Sequence, residues 1–419
     1  MRYKATTFDY LQYLYNTTGF NDHQLHSVIK FDNRLDAVIL EKAVNQLVKT
    51  VPILARKYID KDGCSYWEDS NTIRKAELFT IVSNEKDFER FICSKTNEAT
   101  GPQIKVCLYR FEKDCVAIVM NHMITDGAGF KQCLYLFANI YNNLSQNSDY
   151  VPSFIVDGDR SFKNVISNIP FFKKLKTLLF GRKENNQSSN ETFPMSNTAD
   201  TSPFILTYNV KPERYNQLIE FGKENNVTVN DVLLAAYIRA LSKMLNINRK
   251  YLSIPIMVDM RRYLKEKSFK ALTNLTSIAT LRLRVYQDES FKETLYRVNS
   301  SMWTKKHHFI GLNTFLKLDV LYRFFRKNVA YKLLRCALVN PNICMTNIGV
   351  IDSANLKFVN SNIENAYICG SIKYRPHFQL AVSTFQDKMT WCINLYGSEE
   401  DKKNINEFFT LMEREINSI

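Results

Sequence analysis

"CVAIVMNHMITDGAGF", Cys115 to Phe130, is the stretch on which the reading of the whole chain turns. An apolar, β-branched run ends at His122, Asp126 follows four residues later, and Gly127 and Gly129 come next. On a helix, His122 and Asp126 would share one face and could hold a metal. The β-branched run and the paired glycines instead predict a strand, a tight loop and then a helix. His23, His26, His307, His308 and His377 have no spacing that supplies a third ligand, so no metal is expected. A histidine leaving a buried strand is held by the sheet while its ring enters a cleft, which suits a general base near neutral pH. Asp126 would fix the loop or the ring, and Gly127 would permit a backbone conformation strained for other residues. The alternative is a satisfied strand-end histidine with Asp126 capping the next helix. Composition and spacing alone favour that alternative.

The surrounding sequence reads as two mixed halves. In the first, Leu35 to Val51 has apolar positions at helical spacing and is stopped by Pro52. Ile104–Phe111 and Cys115–His122 predict a hairpin around the turn "EKD", and Phe130–Leu144 predicts a helix. Residues 181–203, "GRKENNQSSNETFPMSNTADTSP", are polar and rich in Asn and Ser, as an exposed linker would be. The division is therefore an N-terminal half, 1–180, the linker 181–203, and a C-terminal half, 204–419. The second half restarts with a strand, "PFILTYNV". It continues with a buried helix, "VTVNDVLLAAYIRALSKML", for which Asn230 is the expected N-cap. "YLSIPIMVDMR" and "SIATLRLRV" read as strands, "FQLAVSTF" and "MTWCINLY" as a closing hairpin, and Glu399–Ile416 as an amphipathic helix.

Bulk composition bounds the function more loosely. The 419 residues suffice for two or three domains, and 45% apolar with 23% charged residues is ordinary for a folded protein. The net charge of +14 favours an anionic partner without choosing one. Nine scattered cysteines with no C-x-x-C pair read as reduced core residues of a cytoplasmic protein. The start "MRYKATTFDY" lacks the apolar stretch of a signal peptide, and no apolar run reaches membrane-spanning length. Walker, dinucleotide, nucleophile-elbow and H-E-x-x-H motifs are all missing, and no nucleic-acid module is visible.

"NHMITDG", Asn121–Gly127, closely resembles the H-H-x-x-x-D-G motif of a large acyltransferase superfamily. Its members include chloramphenicol acetyltransferase, nonribosomal-peptide condensation domains, plant BAHD acyltransferases and polyketide-associated acyltransferases. The likeness runs through most of the chain. "LDAVILEKAVNQLVKTVPILARKY" is similar to the family's first helix, "TVNDVLLAAYIRAL" to its interface helix, "IPIMVDMRRYL" to its V-D-x-R strand and "CMTNIG" to its T-N-x-G strand. The resemblance implies an α+β fold of two chloramphenicol-acetyltransferase-like subdomains with mixed sheets and an active-site tunnel between them.

It also implies a standalone alcohol-acetyltransferase or condensation-like enzyme that moves an acyl group from acyl-CoA or an acyl-carrier-protein thioester to a hydroxyl or amine. His122 would be the base, no covalent acyl-enzyme would form and no cofactor would be bound permanently. Asp126 would pair with an arginine of the other half, Arg261 first and Arg262 second, supporting the loop with Gly127. Asn121 stands where the family has its first histidine and is a candidate for positioning the acceptor. Thr346 and Asn347 are candidates for acceptor or oxyanion contacts. The D-F-G-W-G box of the plant branch is absent. Expected partners are a small-molecule acceptor and the thioester donor, with the chain acting as a monomer. "FFKKLKTLLFGRK" and "LYRFFRKNVAYKLLR" leave peripheral contact with an anionic membrane open, and a catalytically inactive membrane-binding member is the rival reading.

Overall fold

The computed structural model describes residues 2–61, 64–70, 75–180, 191–265, 269–307, 310–324, 327–337 and 341–419. Residues 181–190 of the expected linker, His308, and residues 325–326 of the second basic segment lie outside the described residues.

Among the described residues, fifteen strands form three sheets. In chain order they are β1 (Arg2–Lys4), β2 (Gln24–Phe31), β3 (Arg56–Lys61), β4 (Cys64–Asp69), β5 (Phe79–Val82), β6 (Ile104–Arg110) and β7 (Asp114–Asn121). Then follow β8 (Ser202–Val210), β9 (Tyr251–Asp259), β10 (Thr276–Arg284), β11 (Ile343–Ile351), β12 (Ile363–Cys369), β13 (Lys373–Tyr374), β14 (Phe378–Phe385) and β15 (Lys388–Gly397). The first lobe holds a five-stranded sheet, β12-β2-β7-β6-β5, and a small sheet, β1-β4-β3. The second lobe holds a seven-stranded mixed sheet, β10-β9-β11-β14-β15-β13, with β8 also on β15. β12 departs from the expected division of the chain, because a strand of the C-terminal half pairs antiparallel with β2 and completes the first lobe's sheet. The lobes are thus joined through a β-ladder.

The predicted hairpin is β6 and β7, in register from Ile104↔Met120 to Arg110↔Asp114. Asp114 belongs to the strand rather than the turn, because its carboxylate takes Arg110 at 2.9 Å and the Leu35 N–H at 2.8 Å. Every residue of β7 is buried. One face packs Val116, Ile118 and Met120 into the core beneath helices Ala37–Thr50 and Gly127–Gln146. The other face presents Cys115 and Ala117 to Cys369, Ala381 and Cys392. Small side chains at this seam let the two sheets approach closely, which is where four of the buried free thiols lie: Cys107, Cys115, Cys369 and Cys392.

Helix Val229–Met244 is buried along most of its length, as its apolar run predicts. Its N-cap is Thr228 rather than Asn230. Thr228 and Asp231 form a reciprocal capping box, and a T-x-x-D pattern satisfies two orphan N–H groups where an Asn one residue inside the helix would not. Asn230 instead accepts a hydrogen bond from Asn347 Nδ2 at 3.2 Å. Helix Phe171–Phe180 leaves Phe171 and Phe172 exposed, at 69% and 82%. No described helix is long and apolar enough to cross a membrane.

Candidate active site

β7 ends at Asn121, so His122 is the first residue past a rigid, buried strand. Its N–H donates to His23 O at 2.7 Å, which extends the β2–β7 ladder by one bond and fixes the backbone there. The ring turns back over its own loop, and Nδ1 lies 2.7 Å from Thr125 O. A carbonyl only accepts, so Nδ1 carries the proton and Nε2 keeps its lone pair. His122 lines an interlobe cavity of about 180 Å³. Burial pushes the imidazole below the ordinary histidine value of 6.5, with the Thr125 carbonyl opposing, so the ring is neutral at pH 7.

Asp126 faces away from that ring. Its Oδ1 caps helix Gly127–Gln146 through the Gly129 N–H at 2.9 Å. Its Oδ2 accepts from Arg261 Nη1 at 2.8 Å, Leu275 N–H at 2.7 Å and Thr276 Oγ1 at 3.2 Å. Burial alone would raise this carboxyl, but the Arg261 guanidinium and these donors hold it below its usual value. Arg261 sits in the short 3-10 turn Met260–Tyr263 after β9, and it also donates to Asp259 Oδ1 at 3.1 Å and Thr273 O at 2.8 Å. One carboxylate therefore ties the histidine loop of one lobe to both ends of the β9–β10 connection of the other. The opposite flank of the loop is held by Arg160. That residue grips the buried Asp9 with two nitrogens, at 3.0 and 2.9 Å, and donates to Leu272 O.

The structure gives four of the residues singled out from sequence a different setting from the expected one. Asn121 is fully buried and turned from the cavity. Its amide donates to Gln103 Oε1 at 2.9 Å and lies 3.4 Å from His23 Nε2, while its oxygen takes the Met123 N–H. With those groups engaged it shapes the loop, and it is not among the residues lining the cavity. Gly127 has no left-handed backbone; it begins the helix, and a Cβ there would meet the Ile348 side chain at 3.3 Å. Asn347 spends its side chain on Asn230 and the Gly349 N–H, which leaves Thr346 as the residue of that pair facing the cavity without such commitments. Arg262 lines the neighbouring cleft and is not an Asp126 partner.

Several site residues were not visible in the sequence. Asn274 brings Nδ2 to within 3.4 Å of His122 Nδ1, and Thr273 and Leu275 complete the Asp126 clamp. Gly129, not Gly127, is the position where no Cβ fits, because one would overlap Thr125 Oγ1 and lie 3.3 Å from Thr273 O. Lys373, Gln379, Ser371 and Tyr15 form the inner wall of the cavity. The cavity thiol, Cys344, is pushed up to about 11 by burial and so stays protonated. Among the described residues no group of His, Cys, Asp and Glu is arranged to hold a metal ion. The outer end of the cavity shares Ala128, Lys131, Met257, Asp259 and Asn347 with an open cleft of about 1020 Å³. Arg262, Lys265, Lys270 and Lys306 line that cleft.

A model of the condensation domain matches residues 12–419. The chain belongs to the condensation-domain family. Membership places this condensation domain among acyl-transferring enzymes. Its fold is shared by the first condensation domain of the CDA synthetase, at 12% identity, TM-score 0.72, and coverage of 100% of this chain and 97% of that one. The trichothecene 15-O-acetyltransferase of Fusarium sporotrichioides also shares it, at 12% identity, TM-score 0.71 and coverage of 98% and 94%. So does polyketide synthase associated protein 5 of Mycobacterium tuberculosis, at 12% identity, TM-score 0.70 and coverage of 98% and 96%. A comparison with curated protein sequences gives no match.

The two glycines rank oppositely to the order their sequence context suggests. Gly129→Ala drives a methyl group into Thr125 and the Thr273 carbonyl, and overpacking of this kind costs about 1–3 kcal/mol. Gly127→Ala meets only the Ile348 side chain, at 3.3 Å or more. Thermal unfolding should show the Gly129 variant clearly destabilised and the Gly127 variant close to wild type; equal midpoints would contradict this packing.

Proposed function

We propose that this condensation domain transfers an acyl group directly from a thioester to a hydroxyl or amine, with His122 as general base. The observation that carries the reading is the neutral ring whose Nε2 lone pair is left for a cavity between the lobes. The acceptor's O–H or N–H gives its proton to Nε2 as its heteroatom attacks the thioester carbonyl. The tetrahedral intermediate then collapses, the C–S bond breaks, and the imidazolium returns the proton to the departing thiolate. The products are an ester or amide and a free thiol. No acyl-enzyme is needed, and the protonated Cys344 is a poor nucleophile at neutral pH.

Asp126, Gly129 and Arg261 support the loop without touching substrate, and Thr346 is the candidate contact at the reacting carbonyl. The donor enters from the basic cleft, where Arg262, Lys265, Lys270 and Lys306 suit the phosphates of coenzyme A or an acidic carrier protein. Both walls of the cavity come from one chain, which fits a monomer that takes its thioester as a co-substrate and holds no permanent cofactor.

A second role is compatible with this one. Phe171, Phe172 and Leu175 are exposed on a helix that also carries Lys173, Lys174 and Lys176 and no acidic residue, the composition of an interfacial helix. Sedimentation with phosphatidylserine vesicles should show binding that falls with salt and with Phe172→Ser; binding indifferent to both removes this role.

For the transfer reaction, His122→Ala should lower thiol release from acyl-CoA or acyl-carrier donors by roughly 10²–10⁴-fold. The base must be unprotonated and its pKa lies below 6.5, so kcat/KM should rise with pH and level off with an apparent pKa under that value. Turnover that survives His122→Ala, or an acid limb above 6.5, contradicts the assignment.

A further inference from the structure

The inner wall of the cavity carries a cation that neither the loop clamp nor the proton transfer uses. Lys373 is only 7% exposed and lines the same cavity as His122. Among the described residues its Nζ has no hydrogen-bond or ion-pair partner. Asp22, the carboxylate acting on it electrostatically, makes no ion pair with it, and among the described residues its buried Oδ2 has no hydrogen-bond partner. Its Oδ1 takes the Gln24 and Ile372 N–H groups at 3.1 and 2.9 Å, and its Oδ2 lies 3.8 Å from His26 Nε2. Burial accordingly pushes the Lys373 ammonium below the usual lysine value, with Cys344 and Asp22 opposing. A buried ammonium left without a counter-charge is costly, and an anion arriving in the cavity would relieve that cost.

The β-ladder fixes where such an anion would sit. Residue 122 bonds to His23 on one side, and on the other the Asp22 N–H donates to Ile372 O while Asn21 bridges Lys373. His122 and Lys373 thus stand two strand spacings apart, about 10 Å between backbones, on either side of one small cavity. Tyr15, Ser371 and Gln379 line the wall beside Lys373 and offer neutral donors. Phe8, Leu11, Leu25, Ile278 and Ile348 supply apolar surface around it. None of Lys373, Gln379, Ser371 and Tyr15 lines the basic outer cleft, so Lys373 is a separate cation from those at the donor's entrance.

We propose that Lys373 anchors a carboxylate carried by the acyl acceptor, so that the acceptor is a compact hydroxy- or amino-carboxylate with an apolar body. The proposal rests on the transfer reaction assigned above for the word acceptor, and on the cavity alone for the carboxylate. The nucleophilic atom lies at His122 Nε2 while the carboxylate pairs with Lys373. A short span between the two groups follows from the cavity volume of about 180 Å³. Lys373 acts on selection and orientation of the acceptor, and its charge also helps hold the His122 imidazole below its usual value.

The test uses 3-hydroxybutyrate, L-leucine and 4-hydroxyphenylacetate, each against its methyl ester. Binding is read by calorimetry on wild type, His122→Ala, Lys373→Met and Lys373→Arg. Thiol release from acetyl-CoA and from succinyl-CoA is read on the same proteins. The expected result is at least one acid that binds wild type and His122→Ala but whose ester does not. Lys373→Met, near-isosteric and checked for an unchanged melting profile, should weaken that binding roughly tenfold or more, with Lys373→Arg recovering part of it. In turnover the loss should fall on the acceptor's KM rather than on kcat. A panel in which no acid outbinds its ester, or in which Lys373→Met binds as wild type does, overturns the proposal. A Lys373→Met defect confined to succinyl-CoA also overturns it, by placing the carboxylate on the donor. Lys373-dependent binding together with thiol release that persists in His122→Ala would support the carboxylate site and sink the transfer mechanism instead.

Discussion

The buried carboxylate of Asp126 is the constraint on which the site depends. It accepts from Gly129, Leu275, Thr276 and Arg261, and so joins a helix start in one lobe to a strand connection in the other. A buried charge is tolerated only when its oxygens are satisfied, and here every donor is drawn from an element that the site needs in place. Losing Arg261 would leave the buried Asp126 charge without its counter-ion, so the interlobe geometry and the histidine loop stand or fall together. The carboxylate does its work without touching the imidazole. The ring is oriented instead by the Thr125 carbonyl four residues before Gly129, inside the loop that Asp126 braces.

The sheets make this arrangement possible. β12 crosses from the second half of the chain onto β2, and the seam behind β7 is lined by cysteine and alanine rather than by large side chains. The segment around Lys373 and the one that ends in His122 are both held to residues 21–23, which lie between them. The cavity is thereby closed at an inner, singly charged wall and open toward a broad basic cleft. This polarity gives two substrates distinct ways of being held: anionic groups spread over several exposed cations outside, and one buried ammonium inside.

Elements made by local pattern were legible in the sequence. The β6–β7 hairpin, helix Ala37–Thr50, helix Val229–Met244 and the closing hairpin all follow from periodicity and turn residues. The resemblance carried by "NHMITDG" and "VDMRR" supplied the pairing of Asp126 with Arg261, which no local pattern specifies. Errors fell where one residue's offset matters. Thr228 outranks Asn230 as a cap because the reciprocal bond needs a partner three residues on, and Gly129 outranks Gly127 because only the folded loop puts Thr125 behind it. Asn121 looked like a substrate contact from its place in the motif, but Gln103 and His23, far off in sequence, turn it inward. Asn274 and Lys373 were invisible for the same reason: each reaches the site through a contact with a segment distant in the chain, not through any neighbour in sequence.

The central claim is that the braced loop presents His122 as a neutral base with its proton on Nδ1 and its lone pair on Nε2. Nitrogen-15 NMR of histidine-labelled protein, with His122 assigned by its absence in His122→Ala, measures this directly. The account predicts a neutral ring at pH 7 with Nδ1 protonated, titrating below 6.5. A ring protonated on Nε2, or an imidazolium at pH 7, would contradict it.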